Sequence, residues 1–240
     1  MIRMIKLSNR LMTIANMVSP DVRLADIGCD HGFLSIYLVE NKIAKSALAC
    51  DINEGPLRGA EAHVRQASLS GSIETRLSNG FAKIVPGEVN SAVISGMGGE
   101  LIASIMTEGK AVVDELSEIV ISPQSEISKA RIALRDLGLY IHQEKCVFDE
   151  GKYYQVIRAT HEPSSAYEMA IVAGISEDLC LEYGPELLLG RDEVMMEFLS
   201  KKKDKLAQIR DGLLADDKLK NSVRVKEIIT EINTLSVIIG

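Results

Sequence analysis

The chain has 240 residues, 46% of them hydrophobic, enough to bury a full core as one large domain or one domain with an appendage. Its 27 Lys and Arg against 34 Asp and Glu give a net charge of −7, which excludes a protein that coats nucleic acid through bulk positive charge and leaves only a local basic patch for such a partner. Charged residues interrupt every apolar run short of a membrane span. Cys29, Cys50, Cys146 and Cys180 form no C-x-x-C pair, so neither a zinc knuckle nor a redox dithiol is expected. A reducing cytoplasm suits such thiols, and no metal, membrane or stable protein partner is expected.

In chain order, Leu7, Leu11, Ile14 and Val18 recur at helical spacing, while Asn9, Arg10 and Asn16 break any signal-like apolar region, so residues 1–18 read as a docked amphipathic helix. From Val22 to Ala159 short β-branched runs alternate with helical patterns. Strands are expected at 23–27, 46–50, 73–77, 91–95 and 118–122. Helices are expected at 33–41, 55–70, 100–108 and 127–137, with a shorter one near Phe81. This alternation implies crossover connections and a doubly wound, mainly parallel sheet. Two further strand-like runs, 140–148 and 153–159, flank Asp149-Glu150-Gly151-Lys152, whose composition suits a hairpin turn. A terminal antiparallel hairpin separates the Rossmann-like class I methyltransferase sheet from most nucleotide-binding Rossmann domains.

Beyond His161-Glu162-Pro163 the strands stop, which places a boundary near residue 162, with an α/β domain over 1–162 and a small all-α domain over 163–240. Met195, Leu199, Lys202, Leu206, Ile209 and Leu213, then Val225, Ile228, Ile232, Leu235 and Ile239, mark two heptad seams. The short Ala215-Asp216-Asp217 link folds them into an antiparallel, coiled-coil-like hairpin; the alternative is that both helices pack on the first domain.

The chemistry concentrates at four strand ends. Asp26-Ile27-Gly28-Cys29-Asp30-His31-Gly32 runs from strand through a glycine turn into a helix. It is not G-x-G-x-x-G, since Asp30 stands where a second glycine would admit a pyrophosphate, and a carboxylate there repels phosphates. S-adenosylmethionine (SAM) carries an ammonium and a sulfonium instead, so acids around this turn suit it. Asp51 follows Gly28 by 23 residues, near the interval at which nucleoside-binding α/β folds place a ribose-binding acid; capping the helix after it is the alternative. Asn79 can accept from the adenine amine or simply serve the turn at Gly80. Gly96-Met97-Gly98-Gly99 exposes backbone at the carboxyl edge of the sheet. Asp26, Gly28, Cys29, Asp30, Asp51, Ile52, Asn79, Gly80 and Gly96 are therefore assigned to the cofactor. His31, Ser95, Met97 and Gly98 are assigned to the acceptor side. His31 can accept a proton, orient a carboxylate or merely begin a helix.

The chain resembles the TrmK family of bacterial tRNA (adenine-N1)-methyltransferases, which modify adenosine 22. The resemblance covers nearly all of it and rests on Asn9-Arg10-Leu11 with Ile14-Ala15, Asp26 to Gly32, Gly55-Pro56-Leu57, Arg76-Leu77 with Gly80, Gly96 to Gly99, Ser122-Pro123-Gln124 and Tyr183-Gly184-Pro185-Glu186-Leu187-Leu188. It implies a SAM-binding catalytic domain, transfer of a methyl group to N1 of adenosine 22, and a helical domain that helps to hold tRNA. Family members often carry a small residue or Thr at position 29 and Asp at position 79. For RNA, Arg3, Lys6, Arg10, Arg58 and Arg65 with Lys201, Lys202, Lys203 and Lys205 form the candidate phosphate contacts. Against the lysine cluster stands the acidic balance of residues 161–240, 10 basic and 15 acidic side chains, which suits a solvated face equally well. The rival readings are a SAM-dependent methyltransferase of a small molecule or protein, and a silent SAM-binding interaction module.

Overall fold

The computed structural model describes residues 6–216, 219–220 and 222–240, so Arg3 lies outside the described residues. The first elements are α1 (Asn9–Ala15), β1 (Val22–Ile27), α2 (Phe33–Glu40), β2 (Ala44–Asp51), α3 (Glu54–Gln66) and β3 (Ile73–Leu77). There follow β4 (Ser91–Ser95), α4 (Gly99–Glu108), α5 (Lys110–Val113), β5 (Glu118–Ser122), α6 (Ile127–Asp136), β6 (Tyr140–Asp149) and β7 (Lys152–Thr160). The seven strands form one sheet in the order β3-β2-β1-β4-β5-β7-β6. β1 to β5 pair in parallel, and β7 and β6 close the sheet antiparallel.

The apolar content of each strand decides its place. β5 is buried along its whole length and β4 up to Ser95, as central parallel strands covered on both faces must be. β6, at the edge, alternates buried and open positions. Its hairpin pairs Asp149 with Lys152 across Glu150 and Gly151. Both turn residues have positive φ, 46° and 81°, the backbone twist that a two-residue hairpin turn requires. Helices cover both faces of the sheet, with one apolar core around Ile94, Ile102 and Ile121 and a second around Leu24, Ile36 and Val93.

The expected helix near Phe81 does not form. Gly80 and Gly87 take positive φ, 53° and 80°, and Phe81 instead fills the core as a wedge against Gly109, where a β-carbon would collide with its ring. Among the described residues of the N-terminal segment, helix is confined to α1. Leu7, Ile14 and Val18 are buried as their spacing predicts. Glu118, almost wholly buried, ties this segment to β5 by accepting from the Ser19 N–H at 2.8 Å and Ser19 Oγ at 2.6 Å, and it pairs with Arg158 at 2.7 Å.

The strands end near residue 160 as expected, yet the first unit extends through Leu189, and Gly190–Gly240 form the second. The reason is a buried ion pair. Glu144 accepts from Arg131 Nε at 3.0 Å and Nη2 at 2.6 Å, Arg131 Nη1 donates to the Leu181 carbonyl at 2.9 Å, and the Glu186 N–H donates back to Glu144 at 3.0 Å. This network fastens α8 (Glu177–Tyr183) and α9 (Pro185–Leu189) to the sheet domain, and α7 (Ala166–Val172) packs on both of them.

In the second unit, α10 (Glu193–Leu214) and α11 (Val223–Ile239) pair antiparallel. Arg191, before α10, donates to the carbonyls of Ile238 and Ile239 at the far end of α11. Met195, Leu199, Leu206, Val225, Ile228 and Leu235 bury the seam, whereas Ile209, nearer the turn, is exposed. Among the described residues no helix is long and apolar enough to cross a membrane.

Candidate functional site

The strand order reverses between β1 and β4, the point at which loops from the carboxyl ends of neighbouring strands run apart and leave a crevice. A cavity of about 460 Å³ opens there. It is lined by all nine residues assigned to the cofactor and by His31, Ser95 and Met97 of the acceptor set.

At the first turn, the N–H groups of Gly28 and Cys29 donate to the Cys50 carbonyl at 2.8 and 2.9 Å, locking β1 to β2 where the chain leaves the sheet. Gly28 has φ +73°, a conformation a β-carbon disfavours, and a β-carbon there would collide with the Met97 methyl. The bare backbone therefore forms part of the cavity floor. Asp51, at the end of β2, is buried with its carboxylate aimed by two backbone donors, Asn53 N–H at 2.8 Å and Asp30 N–H at 3.3 Å. The N-cap position of α3 is held by Asn53, which makes no side-chain cap bond, and Asp51 meets the helix entrance only through the Asn53 N–H. Asp26 is buried too, but its carboxylate accepts from Ser35 Oγ at 2.7 Å and braces α2. Burial pushes its pKa up to about 6, with Ser35 pulling the other way.

Cys29 is a neutral liner, because burial drives its thiol far above the ordinary range. Asp30, exposed with φ +52°, lies 3.8 Å from His31 Nε2. The His31 ring packs over Gly59 and in an aromatic group with Phe33 and His63, whose own rings stack at 4.8 Å. His31 thus precedes α2 rather than belonging to it.

The glycine-rich loop after β4 divides its labour. Gly96 takes φ +79° on the cavity wall. Gly98 is not part of that wall; its α-carbon faces Ser125 Oγ, which a β-carbon would approach to 3.1 Å. Gly99 is where α4 crosses the Glu126 backbone too closely for any side chain.

Of the expected RNA contacts, Arg10 lines the cavity itself, beside Gln124, a wall residue that motif reading left without a role. Arg58 and Arg65 pair with Glu54 and Glu61 one helical turn back, each at 2.9 Å. Lys201 pairs with Glu197 at 2.5 Å and Lys202 reaches Glu231 of α11 at 2.9 Å. Lys6 and Lys205 are exposed and Lys203 is half-buried. Among the described residues no group of His, Cys, Asp and Glu could hold a metal ion.

The donor set fits SAM. Three carboxylates, Asp26, Asp30 and Asp51, surround glycine backbone with no Lys or Arg at that end among the described residues, which suits a cationic nucleoside and not a phosphate.

A family model described as a methyltransferase domain matches residues 7–157. The chain is 29% identical over 237 residues to the tRNA (adenine(22)-N(1))-methyltransferase of Bacillus subtilis, covering 98% of each chain. It superposes on the crystal structure of the B. subtilis m1A22 tRNA methyltransferase TrmK with a TM-score of 0.81 at 30% identity, covering 98% of this chain and 99% of that one. The M. capricolum TrmK structure in complex with the cofactor product S-adenosyl-homocysteine matches with a TM-score of 0.79 at 26% identity, over 99% and 98% of the two chains.

Proposed function

The chain belongs to the methyltransferase-domain family and, within it, to the TrmK family, and on that premise we propose that it transfers a methyl group from SAM to N1 of adenosine 22 in tRNA. The observation that carries this reading is the buried Asp51 carboxylate, held by two backbone N–H groups at the cavity edge beside the bare backbone of Gly28.

When bound, SAM supplies an electrophilic methyl on a sulfonium. Asp51 is suited to accept from ribose hydroxyls, Asn79 to accept from the adenine amine, and Asp30 to face positive charge. Adenine N1 bears a free lone pair at neutral pH, so alignment and field, rather than a strong base, are what the protein must provide. Ser95 and Met97, which line the cavity, are assigned to the acceptor, where they would exclude water and position the base. His31, which also lines the cavity, is the candidate to take up the proton that the methylated base later loses. N1 lies on the Watson-Crick edge, so the target adenosine must be unpaired or extruded into the cavity. Lys203, Lys205 and Lys6 contribute phosphate contacts on the helical hairpin and near α1, and the cytoplasm, where tRNA is processed, is the compartment of this reading.

The test is labelled SAM with transcribed tRNA and nucleoside mass analysis. N1-methyladenosine at position 22 is expected, with no incorporation when that adenosine is replaced by guanosine. Equal incorporation into both transcripts, or into free nucleosides, would sink the assignment.

A further inference from the structure

The cavity is electrically lopsided. Asp26, Asp30 and Asp51 line one end, and Arg10 is the one Lys or Arg among the described residues that line it. Arg10 is held there by three features. Its backbone N–H donates to Asp149 Oδ2 at 3.1 Å, which pins the start of α1 to the β6–β7 hairpin. Its guanidinium carbon lies 5.3 Å from the centre of the Tyr154 ring, a cation–π contact that keeps the plane in place. Its side chain also reaches Gly96, with Nη1 4.0 Å from where a β-carbon would stand and Gln124 Nε2 3.8 Å from the same point. Yet Nη1 is buried and has no hydrogen-bond partner. A buried guanidinium donor without an acceptor is costly, and it persists where a ligand completes it.

We propose that Arg10 binds a phosphate flanking the extruded target nucleotide, anchoring the acceptor at the Gly96 end of the cavity; this rests on the tRNA methyltransferase reading above. The choice of phosphate over base follows from charge flow. Methyl transfer moves positive charge onto the adenine ring, so a permanent cation bonded to that ring would oppose the reaction, whereas a phosphate gains from the planar two-donor fork of arginine. Arg10 thereby acts inside the reaction cavity and not as one more outer charge along the RNA path.

The experiment compares wild type, Arg10→Ala and Arg10→Lys in single-turnover methylation of tRNA built by ligation with a neutral methylphosphonate on the 5′ or the 3′ side of adenosine 22. Thermal unfolding serves as the check on folding; SAM affinity, measured by calorimetry, should be the same for all three proteins, and a loss of it in Arg10→Ala would put the guanidinium on the carboxylate of SAM and overturn the phosphate assignment. Arg10→Ala is expected to lower kcat/KM on native tRNA by roughly 10- to 100-fold, and Arg10→Lys to recover part of it. One methylphosphonate should lower wild type by a similar factor while leaving Arg10→Ala indifferent. If both proteins lose the same factor on both modified RNAs, or Arg10→Ala methylates native tRNA at the wild-type rate, the phosphate assignment is wrong. Wild type that methylates no native tRNA would instead overturn the function on which it rests.

Discussion

Met97 and Gly28 share one space: the thioether methyl of the first lies where a side chain on the second would begin. Gly28→Ala therefore carries two penalties, a left-handed backbone that costs a β-carbon about 1–2 kcal/mol, and displacement of Met97 across the cavity. Urea unfolding should register the first. Calorimetric titration with SAM should register the second as an affinity loss of at least about tenfold. Undiminished affinity would show that the turn does not touch the cofactor.

The ribose role proposed for Asp51 rests on a carboxylate at the end of β2 that two backbone N–H groups hold in place. Asp51→Ala should weaken SAM binding by roughly 10- to 100-fold, the worth of charge-assisted hydrogen bonds in a shielded site. Asp51→Asn, which keeps one acceptor oxygen, should lie between. The same titration checks both, and unchanged affinity in the Ala variant removes the ribose role.

Asp26 offers a prediction about pH. Its folded pKa of about 6 stands above the ordinary 3.8, chiefly through burial. Between those values the folded state binds more protons than the unfolded chain, so this residue lowers stability progressively as pH rises from about 4 through 6, and the loss is complete above that. Asp26→Asn can keep the acceptor for Ser35 without the buried charge. It should be more stable than wild type at pH 7.5, by about 1–3 kcal/mol, with the difference shrinking toward pH 4. Denaturant unfolding across pH 4–8 reads this directly, and a gap that does not change with pH would contradict it.

On the helical hairpin the lysines divide. Lys201 and Lys202 face carboxylates of their own unit, Glu197 and Glu231. A Lys203→Ala, Lys205→Ala double variant should weaken tRNA affinity and reduce the salt slope by about one to two charges. A Lys201→Ala, Lys202→Ala variant should change it less, because those ammonium groups already have anionic neighbours. Filter binding at several salt concentrations distinguishes them; equal slopes would dissolve the distinction.

Much of this architecture is legible in the chain because its strands are short β-branched runs between turn residues, and each of the seven falls within two residues of its expected limits at either end. The segment around Phe81 misleads for a local reason: an apolar side chain near helical spacing is a core wedge, and the positive φ of two glycines is visible only in three dimensions. The residues assigned to the cofactor are readable because they sit at strand ends whose spacing is set by the fold. The rest of the cavity wall is less so. Arg10 and Gln124 reach Gly96 from elements far apart in sequence, and nothing in their spacing tells that they converge. The three glycines after β4 look alike in a string, yet Gly99 answers to helix crossing and Gly96 to the cavity.

Gly184 has φ +95°, and a β-carbon there would come within 2.5 Å of Glu144 and 2.7 Å of Arg131. This one missing side chain lets the turn into α9 close over the buried ion pair. Because the pair is sealed by residues 181–186, an expression fragment trimmed where the last strand ends would strand an arginine and a glutamate in contact with solvent on a face built to be dry. The compact unit that encloses this pair runs to Leu189.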